Sequence, residues 1–190
     1  MIRAFIAIDL SAEVRTALRT AQAQLQGAQL GVKVSWTKIA NLHLTLQFLG
    51  DIQGTAVAGI STALATMTGA LPVFDVPVAG AGAFPDVHRP RVVWIGCDDS
   101  AGKLQALAGA VQAAMRPCGF QPEPVPWTAH LTLGRIRAPR PDAALTRALD
   151  SLTNQAFGTL RVDAIHLFQS QLQPGGSIYT KLSSHPLKGD

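Results

Sequence analysis

Cysteine is scarce: Cys97 and Cys118 are the only two in 190 residues. Their spacing suggests neither a metal knuckle nor a disulfide scaffold, so both are expected to be buried thiols. Charge is also sparse. Only 15% of residues are charged, and no run of five like charges occurs, so a long polyanion track is a poor partner. No window approaches the 18 or more apolar residues of a membrane span. The N-terminal "MIRAFIAIDL" breaks its apolar run at Asp9 and has no small-residue cleavage site, so it does not read as a signal peptide. A soluble, cytoplasmic protein without membrane association is expected.

The residues that are present support an ordinary globular core, with 47% hydrophobic. The net charge of +4 and pI near 9.5 favour small anionic ligands such as phosphate groups.

Hydrophobic periodicity divides the chain into two similar halves. Phe5, Ala7 and Asp9 alternate against Ile6, Ile8 and Leu10, which predicts a strand ending where Ser11 can cap a helix. That helix carries Val14, Leu18, Ala21 and Leu25 on one face. Short strands at Val32–Trp36 and over "NLHLTLQFLG" (Asn41–Gly50) follow, then a helix with Val57, Ile60, Leu64 and Met67, and a strand at Val73–Val78. The segment "GAGAFPDVHRP" reads as a glycine- and proline-rich turn. It lacks the Gly-Lys-Ser/Thr ending of a phosphate-binding loop. The order then begins again. "RVVWIG" is a strand, "DDS" (Asp98–Ser100) a helix N-cap, and Leu104, Leu107, Val111 and Met115 a helical stripe. "EPVPW" is a short extended segment and "HLTLGRI" (His130–Ile136) a strand. Leu145, Leu149 and Leu152 mark a helix starting after Pro141, and strands at Leu160–Phe168 and Ile178–Leu182 close the chain. The expectation is one domain over residues 1–190 in the α+β class. It consists of two pseudo-symmetric lobes, roughly 1–80 and 91–183, each an antiparallel sheet with helices outside and a cleft between.

The tetrapeptide His-Leu-Thr-Leu occurs in both halves, at His43 and His130. Residues i and i+2 of a strand share a face, so His43 and Thr45 project together, as do His130 and Thr132, while Leu44, Leu46 and Phe48 turn the other way. In-line displacement at phosphorus requires a proton taken from the attacking oxygen and another given to the leaving oxygen on the opposite side. Two opposed imidazoles meet that demand near neutral pH, and Thr hydroxyls can donate to the non-bridging oxygens. One such pair alone is more often structural than catalytic. Two copies in matching positions favour function. Neither motif carries a carboxylate or Cys at ligand spacing, so no metal and no cofactor are expected.

These motifs, with "FIAIDL", "GAFP" before "RPRVVWIG" and the closing "SQLQPGGSIYTKL", resemble the 2H phosphoesterase superfamily, and within it the bacterial RNA 2′,3′-cyclic phosphodiesterases, also called 2′-5′ RNA ligases. The resemblance implies hydrolysis of an RNA terminal 2′,3′-cyclic phosphate to a 2′-phosphate, with 2′-5′ ligation as a reverse reaction. It implies His43 as acid and His130 as base, roles that a nearly symmetric site could interchange, and Thr45, Thr132 and Arg135 as phosphate-binding residues. One departure is "WTAHLTL", where the family has Phe-x-Pro before the second motif. RNA ends or nucleotides bearing a cyclic phosphate are the implied partners, and a monomer is expected. Trp36, Phe84 and Trp127 are candidates for base stacking, although core packing is the commoner role for any one such aromatic. Arg89, Arg91, Arg137 and Arg140 are candidates for an electropositive rim. The competing class is a non-catalytic RNA- or nucleotide-binding module of the same fold.

Overall fold

The computed structural model describes residues 1–122, 125–174 and 176–189. Among these residues nine strands, β1 (Ile2–Ile8), β2 (Val34–Trp36), β3 (Leu44–Ile52), β4 (Phe74–Phe84), β5 (Val92–Cys97), β6 (His130–Ile136), β7 (Ala156–Val162), β8 (Ala164–Gln173) and β9 (Gly176–Pro186), are joined by four α-helices: α1 (Ala12–Gly27), α2 (Ala56–Thr68), α3 (Lys103–Met115) and α4 (Ala143–Asp150). The strands lie in the order β7-β4-β5-β6-β3-β1-β8-β9, every neighbouring pair antiparallel, with β2 added against β6.

The helices form where the sequence supplies caps and stripes. Ser11 accepts the backbone N–H of Val14 at the start of α1, and Val14, Leu18, Ala21 and Leu25 are buried against the sheet. Asp142 does the same for α4, accepting from Ala144 and Leu145, and it also takes the N–H of Val32 from the other half. In front of α3 the N-cap position belongs to Gly102, in a left-handed conformation. The Asp99 carboxylate nevertheless reaches the N–H groups of Leu104 and Gln105, the service expected of the "DDS" stretch.

The sheet has a seam at its centre. Strands β3 and β6 are paired only at Leu44↔Leu131 and then diverge, and β2 takes up the free edge of β6 from Trp36↔Gly134 to Val34↔Ile136. Close approach of β2 depends on Gly134, where a Cβ would lie 2.6 Å from Val34 Cγ1. On either side of the seam the strands match: β3 with β6, β1 with β5, β8 with β4, β9 with β7. Sequence order and sheet order differ here. The strand that closes the first repeat, β4, is built into the sheet half of the second, and the β8–β9 hairpin returns to extend the first.

Several expectations are corrected. The "GAGAF" stretch is not a turn but the second half of the 11-residue β4. The strand pairs with β7 from Phe74 to Ala79, is bulged around Gly80 (φ +76°), and pairs with β5 at Val78 and again from Ala81 to Phe84. Small residues carry no alternation, which hid the strand. They are required because a Cβ on Gly82 would meet the Trp94 ring at 2.4 Å. The single strand expected at Leu160–Phe168 is two, β7 and β8, broken at Asp163, and β9 is longer than Ile178–Leu182. The polar tip of the β8–β9 hairpin has no apolar pattern to announce it. Of the extended "EPVPW" segment, Glu123 and Pro124 lie outside the described residues, and Val125–Trp127 form no strand. Both cysteines are partly buried and unpaired, and burial pushes the Cys97 thiol up to about 12.

Candidate active site

The two His-Leu-Thr-Leu segments flank the seam, where the missing ladder bonds leave an opening. Leu44 and Leu46 are buried beneath the helices, as are Leu131 and Leu133. The alternation therefore turns His43, Thr45, His130 and Thr132 to the opposite face, where all four line one cavity of about 500 Å3 together with Arg135. Phe48 departs from the expected face. Bulges in the β1–β3 ladder, between Ala4/Phe5 and Ile6/Ala7, shift the alternation, so that Leu49 is buried and Phe48 stands 50% exposed at the cavity edge.

Both imidazoles are held in the same way. His43 Nδ1 lies 2.7 Å from the Asn41 carbonyl, and His130 Nδ1 lies 2.8 Å from the Thr128 carbonyl, two residues back in each case. A carbonyl only accepts, so each Nδ1 carries the hydrogen and donates it. This leaves each Nε2 as the nitrogen free to exchange a proton with a ligand. The rings are also packed. Phe5 stacks on His43 at 4.7 Å, Tyr179 meets it edge-on at 5.3 Å, and Phe84 meets His130 edge-on at 5.0 Å.

The turn that delivers His43 is anchored from α1. Arg15 Nη1 donates to the carbonyls of Ile39 (2.7 Å) and Ala40 (3.1 Å), while its Nη2 pairs with Asp9. Lys181 reaches the other oxygen of Asp9, and Asn41 Nδ2 donates to the Ser177 carbonyl at 2.7 Å. The Asp9 carboxyl sits below its ordinary value: burial raises it, but the Leu10 N–H, Arg15 and Lys181 together outweigh that. Arg15, Asp9, Asn41, Phe5 and Tyr179 were not singled out from sequence. Phe5 had a signal, since it lies on the face of β1 opposite Ala4, Ile6 and Ile8, and Asp9 continues that alternation just past the strand.

Burial lowers the pKa of both histidines below 6.5; the carbonyl bonds oppose this, and the positive charge of Arg135 adds to it for each. An empty site therefore favours neutral imidazoles. A bound phosphate anion has the opposite influence and lets one ring hold a proton. The hydroxyls of Thr45 and Thr132 make no hydrogen bond among the described residues, so they are available to phosphate oxygens, and Arg135 lines the same cavity.

The three aromatic candidates separate. Trp127 donates its indole N–H to the Thr45 carbonyl at 3.0 Å, and Phe84 packs against His130 and Trp94. Trp36 packs against the core at β2 and lines no part of the cavity, a placement that does not suit it for base stacking. Of the arginines weighed as a rim, Arg140 is bonded to the Gly31 carbonyl, and Arg91 lies on the His130 side. His88 is exposed, and His166 and His185 are buried away from the cleft. Among the described residues, no three His, Cys, Asp or Glu side chains cluster at metal-binding distance, and no helix is long and apolar enough to cross a membrane.

A divided antiparallel sheet with a histidine and a threonine on each lip of one cleft is the architecture of the two-lobed 2H phosphoesterases. The LigT-like phosphoesterase family matches this chain twice, over residues 8–94 and 95–179, and the chain belongs to that family. Its relatives include the RNA 2′,3′-cyclic phosphodiesterases of Archaeoglobus fulgidus, 34% identical over 95% of this chain and 98% of that protein, and of Methanothermobacter thermautotrophicus, 32% identical over 95% and 96%. The protein of the same name from Aquifex aeolicus is 31% identical over 100% of this chain and 99% of its own. Among solved structures, Escherichia coli LigT complexed with 3′-AMP superposes with a TM-score of 0.77 at 26% identity, covering 98% of both chains.

Proposed function

We propose that this enzyme is an RNA 2′,3′-cyclic phosphodiesterase that opens the cyclic phosphate to a 2′-phosphate by paired-histidine acid–base catalysis. The observation that carries the reading is the identical anchoring of the two imidazoles, each with Nδ1 committed to a backbone carbonyl and Nε2 free, across a cavity that also holds two unspent threonine hydroxyls and an arginine. The names of the relatives point to the same substrate.

In this mechanism the water oxygen attacks phosphorus while His130 Nε2 takes its proton. The P–O3′ bond breaks on the far side, and His43 Nε2 gives its proton to O3′. The products are a 3′-hydroxyl and a 2′-phosphomonoester. Thr45, Thr132 and Arg135 face the charge that grows on the non-bridging oxygens. No step calls for a metal-bound water.

An oligonucleotide with a terminal 2′,3′-cyclic phosphate, incubated with enzyme after chelation and gel filtration, should yield the 2′-phosphate alone. Binding without turnover would overturn the proposal in favour of a non-catalytic module. Activity lost on chelation and restored by a divalent ion would overturn the metal-free mechanism.

A further inference from the structure

A second cavity of about 490 Å3 adjoins the cleft on the His130 side. Phe48, Phe84, Val92 and Trp127 make most of its wall apolar and aromatic, and Arg91 and Gln112 supply polar positions. It shares Thr45, Phe48 and His130 with the first cavity, so the two lie side by side. Phe48 belongs to both and is 50% exposed, whereas Leu44, Leu46 and Leu49 of the same strand are buried. An aromatic ring held half in water between two cavities has surface to offer a ligand on each side.

The proposed reaction uses none of this second space. The acid, the base and the phosphate donors all line the first cavity, which has room for one nucleotide. The second is also of small-ligand size, and its aromatic walls suit a flat, weakly polar ring. Arg91 adds a cation at its edge. It directly precedes Val92, which pairs with Arg135 across the β5–β6 ladder, and its carbonyl accepts the N–H of Ile136, so Arg91 and Arg135 are near neighbours in the fold, one lining each cavity. That placement suits the phosphodiester linking two nucleosides.

We infer that the second cavity is a nucleobase subsite for the penultimate nucleotide of the RNA strand, with Phe48 standing between the terminal and penultimate bases. The inference rests on the proposed cyclic phosphodiesterase activity. It makes the enzyme a reader of two nucleotides, so an oligonucleotide end is preferred to a cyclic mononucleotide.

The test compares kcat/KM for 2′,3′-cyclic AMP, for a diadenylate ending in a 2′,3′-cyclic phosphate, and for the same dinucleotide lacking its penultimate base. The intact dinucleotide should exceed the abasic one by about five- to a hundredfold, the contribution of one stacked base. The abasic dinucleotide controls for the added phosphate. In Gln112→Trp, which fills the cavity from α3, the intact-to-abasic ratio should fall towards one. Equal values for intact and abasic dinucleotides on the wild-type enzyme would overturn the subsite. Turnover of none of the three would instead overturn the proposed activity. If added adenosine is joined to the cyclic end and Gln112→Trp stops that joining while the intact-to-abasic ratio persists, the cavity serves an attacking alcohol and the penultimate-base inference falls.

Discussion

The indole N–H of Trp127 donates to the carbonyl of Thr45 at 3.0 Å, so the loop leading into the second motif is fastened to the strand carrying the first. With β3 and β6 paired only at Leu44↔Leu131, this bond is a further tie across the seam, made by a side chain where the β3–β6 ladder has stopped. Trp127→Phe keeps most of the ring and removes the donor. The bond is worth about 0.5–1.5 kcal/mol, so the variant should stay folded and lose roughly two- to tenfold in kcat. Unchanged kcat in a variant with lowered thermal stability would assign the bond to folding alone.

His43→Ala and His130→Ala should each reduce turnover by about 10² to 10⁴, the usual contribution of a general acid or base. Acid and base act in one displacement, so the double variant should lose less than the product of the two factors. Near wild-type turnover in either single variant would remove that residue from proton transfer.

Thr45→Val and Thr132→Val delete hydroxyls that make no bond among the described residues while keeping the side-chain shape. Each should lower kcat by up to about 10² to 10³, on the scale of one oxyanion donor. The pH of maximal rate should stay in place, because neither hydroxyl titrates. A shifted optimum would show that the threonine acts through its neighbouring imidazole.

The pH profile should differ between the free and bound enzyme. Burial, reinforced by Arg135, holds both histidines below 6.5 when the site is empty. The bell in kcat/KM reports free enzyme and should centre on the acid side of 6.5. The bell in kcat should lie at higher pH, because the bound anion favours imidazolium. The two limbs belong to the coupled pair. A kcat/KM maximum well above neutrality would contradict the assignment.

His166 and His185 should make the fold acid-sensitive. Burial lowers both, and His185 Nε2 accepts from Ser183, which in turn accepts from Ser61 on α2. Their folded values lie below the unfolded value of 6.5, so on acidification the unfolded chain takes up protons first. Stability should therefore fall as pH drops through 6.5 and level off below the folded values. Melting followed by circular dichroism should show this fall, and His185→Gln should reduce its slope. A slope unchanged in that variant would place the acid sensitivity elsewhere.

How much of this was legible depended on which residues carried a pattern. The duplicated His-Leu-Thr-Leu segments and the stripes of α1 and α3 were readable because leucines and valines recur at fixed spacing where they are buried. The second half of β4 was hidden because glycine and alanine give no alternation, although close packing on Trp94 demands small residues there. Phe48 was assigned to the wrong face because ladder bulges do not show in a sequence. Asp9 and Arg15 are brought together with the turn before His43 only by the folded chain, and neither belongs to a motif.

The exchange of β4 and the β8–β9 hairpin across the seam bears on how such a protein can be divided. A cut between Phe84 and Val92 would separate the two repeats, yet it would give each fragment strands whose hydrogen-bonding partners belong to the other. The N-terminal fragment would keep β4 without β5 and β7, and the C-terminal fragment would keep the hairpin without β1. Neither fragment is a module. Complementation by mixing the two, rather than independent folding of either, is the behaviour this interlacing dictates.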